Sequence, residues 1–313
     1  MRIVPYAGQA VGPILSLYNA ATARVPIGFP ASEGEFVSWL DGSSRRLDVE
    51  RTALAMDGDA VRGLARYGRG GPDAKPDHWY TVEPGDGAIA CLWTEPGDLE
   101  AALPLVDAAL ADLADLECGR IWAFEDELGP RFYNGGFGSL SVTMGEVGRA
   151  LTMRGFGVHA SEFHMLRERL ADLRRAEEAA CKVVFDVRTT RTESGEWCVD
   201  ATMDSGSPVG QCVWAPMSSH SNNPDARRFG YVWWLGIDGQ FQGMGAGRRL
   251  LLIAMSQMRD NGHEAVVLTT GADNKPAQSL YMSEGFHVTD VSMILGRPLS
   301  NGRRAEQHER DSR

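Results

Sequence analysis

The stretch GQFQGMGAGRRLLL, residues 239–252, places Gly243, Gly245 and Gly247 at alternate positions and then turns at once into helix formers. A tight turn needs one glycine; three so close together mean a main chain that must approach something very closely. The apolar segment VWWLGI precedes the cluster. RRLLLIAMSQM follows it, with Leu251, Met255 and Met258 on one helical face. The order is therefore strand, glycine loop, helix N-terminus. Such a terminus offers unpaired N–H groups and about half a positive charge, so it can hold a pyrophosphate.

Two familiar phosphate loops do not fit. A Walker loop needs G-K-[ST] after its second glycine, and here Arg248 and Arg249 follow Gly247. A dinucleotide fingerprint, G-x-G-x-x-G, would put its third glycine at Arg248 or Leu250, and the acidic residue that should end the next strand is missing.

Composition narrows the class. A hydrophobic share of 43% with 23% charged residues is that of a soluble globular chain, and 313 residues suffice for two domains. The net charge of −11 excludes a general nucleic-acid binder, which needs a basic stripe, and favours the approach of cationic small molecules. Cys91, Cys118, Cys181, Cys198 and Cys212 are scattered, with no C-x-x-C pair and no metal-ligand spacing, so free thiols and no metal are expected. MRIVPYAGQAVGP lacks the basic stretch and apolar core of a signal peptide, and no apolar run approaches the ~20 residues of a membrane span. The expected location is cytoplasmic.

Along the chain, RIVPY reads as a strand, GPILSLYNAATARV and SEGEFVSWL as helices, and TALAMDG with VRGLARYG as a hairpin turning at DGDA. GAIACLW is a buried strand. DLEAALPLVDAALADLADLE is a helix with Pro104 near its first turn. The second half opens on a charged helix, RERLADLRRAEEAAC, followed by strands KVVFDVR, EWCVDATM, VGQCVWAPM and GYVWWLGI. After the glycine loop and its helix come the strand AVVLTT, the short helix PAQSLYMSEG and the strand FHVTDVSMIL. LYMSEGFHV (280–288) aligns with ALTMRGFGV (150–158), each Gly-Phe lying 130 residues from the other. This points to two copies of one α/β unit: residues 1–167, residues 168–300, and a polar tail, 301–313.

Q-G-M-G-A-G-R-R-L-L resembles the acyl-CoA signature R/Q-x-x-G-x-G/A of the Gcn5-related N-acetyltransferases, the GNAT superfamily, with Gln242, Gly245 and Gly247 at its defining positions. N-K-P-A-Q-S-L-Y-M-S-E-G-F resembles the second signature of that family, through Asn274, Ala277, Tyr281 and Gly285-Phe286. The likeness covers about residues 231–295. It implies an α/β fold of two tandem GNAT-like domains, each a mixed, largely antiparallel sheet flanked by helices. It also implies acetyl-CoA as co-substrate, wedged between two splayed strands. The main chain of Leu235, Gly236 and Ile237 would pair with the pantetheine arm. Amides of the loop Gly243, Met244, Gly245, Ala246, Gly247 and Arg248 would hold the pyrophosphate. Asn274 would bond the pantetheine arm, and Tyr281 would protonate the departing thiolate.

At the 130-residue offset Asn274, Ala277 and Tyr281 fall on Met144, Val147 and Leu151, and TEPGDLEAALP replaces the glycine loop. Glu95, Asp98 and Glu100 would repel a pyrophosphate there, so the first half is a degenerate copy, expected to shape the acceptor pocket. The expected reaction is acetyl transfer to a primary amine of a small molecule, by direct attack in a ternary complex. O-acylation, another acyl-CoA or malonyl-type decarboxylation on the same fold is the alternative, or an acyl-CoA sensor without turnover. Asp200, Glu196, His220, Asp225 or a water could take the amine's proton. Trp233 and Trp234 could line an acceptor pocket, although tryptophans in such a strand are more often core. No membrane partner is expected, and the tandem arrangement favours a monomer.

Overall fold

Residues 1–8, 11–74, 81–125, 128–130 and 139–298 are described by the computed structural model. The expected polar tail, 301–313, lies outside them. The chain divides into two units, Met1–Ala160 with Met293–Arg313, and Ser161–Ser292. The division falls seven residues before the boundary drawn from the sequence at 167, and the end of the last strand belongs with the first unit.

The first half carries β1 (Arg2–Pro5), α1 (Val11–Thr22), α2 (Glu33–Asp41), β2 (Leu47–Asp57), β3 (Ala60–Gly70), β4 (Gly87–Thr94), α3 (Leu99–Asp115), β5 (Arg120–Ala123), the short β6 (Leu140–Ser141), α4 (Gly145–Met153) and β7 (Gly157–Arg167). The second carries β8 (Asp186–Arg191), β9 (Trp197–Thr202), β10 (Pro208–Pro216), β11 (Phe229–Ile237), α5 (Ala246–Asp260), β12 (Ala265–Gly271), α6 (Lys275–Ser283) and β13 (His287–Pro298).

In the first unit the strands run β1-β2-β3-β4-β5 and then the end of β13; in the second they run β8-β9-β10-β11-β12-β7. β4–β5 and β11–β12 are parallel and the other registered pairs antiparallel. Each parallel pair needs a crossover, which α3 and α5 supply. α5 buries Leu250, Leu251, Ala254, Met255 and Met258, the face its spacing foretold, against a core with Val199, Cys212, Trp214, Val266 and Leu268. The core of the first unit gathers Tyr18, Phe36, Leu64, Trp93 and Leu105.

The duplication extends to caps and turns. Gly145 and Lys275 open α4 and α6, Met153 and Ser283 close them, and Gly157 and His287 open β7 and β13, each pair 130 residues apart. Gly155 and Gly285 share left-handed φ values of 84° and 86°, which only glycine adopts cheaply.

The expected charged helix of 167–181 is instead two short 3-10 turns, Leu170–Asp172 and Ala176–Glu178. The buried residues Leu170, Leu173, Ala176 and Ala179 recur every third position, a spacing that suits three residues per turn rather than 3.6. The strand expected from Lys182 begins at Asp186. Pro104 stands inside α3 beyond its first turn, so that helix forgoes one bond to the Glu100 carbonyl. The five cysteines are free.

Candidate active site

β11 pairs with β12 from Phe229↔Ala265 to Val232↔Leu268, and there the registered pairing ends although both strands continue. On its other edge β11 pairs Val232 with Trp214 and Trp234 with Val213, leaving Trp233 as an extra residue. A bulge of this kind bends its strand. The two strands part into a cleft of about 640 Å³. Leu235, Gly236, Ile237, Gln242, Gly243, Gly245, Gly247, Arg248, Asn274, Ala277 and Tyr281 all line it. Met244 and Ala246 do not: the Met244 carbonyl accepts from Lys182 N at 2.8 Å, and Ala246 is buried in the core beneath the helix.

The loop is held by its own side chains. Asp238 caps the turn Gly239–Phe241, and Gln242 Nε2 donates to the Ile237 carbonyl at 3.0 Å. Gly245 is the residue before α5, at φ 91°, and a Cβ there would lie 2.2 Å from the Ala180 carbonyl. Its glycine thus answers to the protein's own backbone as well as to any ligand. Gly247 differs: a Cβ would meet only Ile237 Cγ1 at 3.3 Å and Leu280 Cδ2 at 3.8 Å, both on the cleft wall. No side chain caps α5, so its first-turn amides are left for another partner.

Around the rim, Arg248 donates from Nη2 to Ser283 Oγ (2.8 Å) and sets Nε 2.8 Å from Glu284 Oε1, a carboxylate that also holds Arg174. Asn274 Oδ1 accepts from Ala277 N at 3.3 Å, so the spacing of Asn and Ala in the second signature is also a helix cap. Tyr281 is buried beside Phe286, ring centroids 5.7 Å apart, and burial holds its phenol above the usual tyrosine range.

The first unit repeats the backbone and fills the space. β4 and β5 pair from Gly87↔Ile121 to Ile89↔Ala123, and Ala90 is the extra residue opposite β3. Three positions past that bulge stands Trp93, where the second unit has Gly236 three past Trp233. Trp93 is fully buried against Tyr18 (5.0 Å) and Trp39 (5.3 Å). At the start of α3, Asp98 accepts from Ala101 N at 3.0 Å and pairs with Arg62 at 2.7 Å. A carboxylate of the chain itself sits on the amides that a phosphate would use. Leu151, in the place of Tyr281, is buried.

The four candidate proton acceptors separate. Asp200 lies in a cross-strand row, Arg188↔Asp200, Asp200↔Gln211, Gln211↔Gly236, that leads to the cleft, and Gln211 Nε2 holds its Oδ1 at 2.6 Å. Glu196 sits in the β8–β9 turn at the other end of β9, where hydroxyls of Ser194 and Thr192 lower its carboxyl below the usual range. His220 is buried against Trp233 (5.0 Å) and Tyr231 (6.0 Å). Asp225 belongs to the 3-10 turn Pro224–Arg228, and its N–H bonds Asn223. Trp234, expected in the core, is 45% exposed and lines the cleft, because the bulge reverses the alternation of β11 after Trp233. Phe241, Pro276 and Leu280 also line it, without a sequence signal beyond their nearness to the motifs. Among the described residues no cluster of His, Cys, Asp and Glu is placed to hold a metal, and no helix is long and apolar enough to cross a membrane.

Residues 163–286 match the family model described as "Acetyltransferase (GNAT) family". The chain is 35% identical over 89 residues to the mycothiol acetyltransferase of Cellulomonas flavigena, covering 28% of this chain and 26% of that protein. With the mycothiol acetyltransferase of Thermomonospora curvata it shares 46% identity over 69 residues, 22% of this chain and 23% of that one. The matched stretch thus spans about a quarter of these relatives' length. Among solved structures, a tandem GNAT protein from the clavulanic acid biosynthesis pathway aligns with TM-score 0.65 at 13% identity, over 95% of this chain and 98% of that one. A GCN5-related N-acetyltransferase from Sphaerobacter thermophilus gives 0.63 at 13%, over 95% of each chain. At such identities the likeness is one of fold.

Proposed function

From the match of residues 163–286 to the GNAT acetyltransferase family we propose that the second unit of this chain moves the acetyl group of acetyl-CoA to a primary amine of a small molecule. The observation that carries this reading is the cleft itself: a strand pair opened by a bulge, an uncapped helix start behind a glycine loop, and a buried phenol on the wall. First-turn amides of α5 would take the pyrophosphate. The free edge of β11 past Val232 would receive the pantetheine arm and polarise the thioester carbonyl. Preorganised N–H groups stabilise the oxyanion as the amine adds. As the C–S bond breaks, Tyr281 would give its proton to the sulfur, a role suited to a phenol that burial keeps protonated.

The mycothiol acetyltransferase relatives direct the choice of acceptor. A thiol-release assay with acetyl-, propionyl- and malonyl-CoA would be run against glucosamine, amino-acid amides and the free-amine form of mycothiol. Amine-dependent release of CoA with acetyl-CoA preferred supports the reading; preference for another acyl group moves it to that donor. Tight acetyl-CoA binding with no release for any acceptor identifies a sensor instead. Tyr281 speaks against the sensor, since binding alone needs no acid at the sulfur.

A further inference from the structure

Extending the parallel register of β11 and β12 three residues past Val232↔Leu268 brings Gly271 level with Leu235 and Gly236, across the opening. Each of the two strands therefore carries a glycine a few residues beyond the point where their pairing ends. Gly236 continues on one side into Gln211 and Asp200. Gly271 continues on the other into Glu162 of β7, its antiparallel partner. Residues paired across an antiparallel ladder point to the same face, with Cα atoms about 5 Å apart. Glu162 thus projects from the same face as Gly271, where the Asp273 carboxylate also lies. A Cβ built on that glycine would meet Asp273 Oδ1 at 2.7 Å and Asn274 Cβ at 4.0 Å, which puts the start of α6 on the same face. Glu162 Oε2 is shielded from solvent and has no hydrogen-bond partner among the described residues.

We propose that Glu162 is the catalytic base, taking the proton of the acceptor ammonium on the sheet face that Gly271 and Gly236 share beyond the point where β11 and β12 part. This rests on the acetyltransferase reading above. A carboxylate oxygen that is shielded from solvent and lacks a protein donor among the described residues, one strand from the opening, suits a ligand that brings its own N–H donors. Burial pushes its carboxyl up to about 7, so at neutral pH it can both receive and release a proton. In the second unit the charged and titratable groups on the elements around it are His164 and Arg167 on its own strand, Asp273 after β12, Lys275 at the start of α6, and His287 and Asp290 on β13. His164, bonded to Ser292 at 2.7 Å, is held far below its usual range by burial and stays neutral.

The protons balance. R–NH3+ gives one to the Glu162 carboxylate, and the free amine attacks the thioester carbon. The C–S bond then breaks and the sulfur takes the Tyr281 proton. The nitrogen, now bound to the acyl carbon, loses its second excess proton through water to the phenolate, which restores Tyr281. Glu162 returns its proton to solvent.

The test is the pH profile of CoA release from acetyl-CoA with the most active amine of the panel, for the natural protein and for Glu162→Gln and Glu162→Asp. For the natural protein kcat/KM should rise as pH passes through about 7, where Glu162 ionises. Glu162→Gln should lose about 100-fold or more at pH 7, and its rate should follow the amine's own ionisation. Glu162→Asp should recover part of the activity and keep a carboxylate-dependent limb. Acetyl-CoA affinity, read by direct titration, should stay within a few-fold in both. Activity of Glu162→Gln within 3-fold of the natural protein overturns the proposal. So does an equal loss at every pH accompanied by lost acetyl-CoA binding, which would make Glu162 structural. A natural protein that releases no CoA with any amine sinks the acetyltransferase reading itself, and this proposal with it.

Discussion

The side-chain amide of Gln242 donates to the main-chain carbonyl of Ile237 at 3.0 Å and so ties the glycine loop to the end of the strand it follows. The first residue of the signature is thereby a brace for the loop. Gln242→Ala removes one hydrogen bond, worth about 1 kcal/mol. The expected result is acetyl-CoA binding weakened about five-fold, with the melting temperature little changed. Calorimetric titration and a thermal melt check both; unaltered affinity would contradict the bracing role.

Gly245 and Gly247 should respond differently to substitution. Gly245→Ala must place a Cβ against the Ala180 carbonyl at a left-handed φ of 91°, a strain of about 1–3 kcal/mol, so it should lower the midpoint of urea unfolding. Gly247→Leu has ordinary φ and no backbone clash, so the fold should persist while the side chain enters the cleft. Its acetyl-CoA affinity should fall by more than ten-fold. If Gly247→Leu binds normally, the diphosphate is not seated there.

Tyr281→Phe should reduce kcat about 100-fold with the affinity for acetyl-CoA nearly unchanged. Because burial raises the phenol above its ordinary value near 10, the acid form persists on the alkaline side. No descending limb from Tyr281 should appear in kcat below about pH 10. A descending limb below that, still present in Tyr281→Phe, would belong to another group.

Asp98 caps α3 and pairs with Arg62 in the first unit. Asp98→Ala should destabilise the protein by about 0.5–2 kcal/mol, measured by urea unfolding. Acetyl-CoA should bind with a stoichiometry of one per chain in the natural protein and in this variant, because Trp93 still fills the place of Gly236. A stoichiometry of two would show that the first unit binds as well.

Much of the site was legible because its parts are local. Gly243, Gly245, Gly247 and Arg248 lie in one loop and helix start, and Asn274, Ala277 and Tyr281 on one short helix, so short motifs carry them to the cleft wall. The offset between Gly155 and Gly285 was legible for the same reason, since a helix stop and its left-handed glycine are set within a few residues. The stretch 167–181 misled because its charge pattern suits an α-helix, whereas its buried residues follow a spacing of three. Trp234 misled because alternation along β11 breaks at a bulge that depends on the register with β10.

By itself the sequence determined which strand, loop and helix start make the cleft and which phenol stands on its wall, because chain neighbours dictate caps, turns and short helices. Only the tertiary structure decided that β11 and β12 part after Val232 and Leu268, and that Trp93 closes the matching space in the first unit. It alone set Glu162 opposite Gly271, more than a hundred residues away. Those relations come from strand register, which no single segment encodes: a residue's cross-strand partner depends on how two distant chains of backbone hydrogen bonds align.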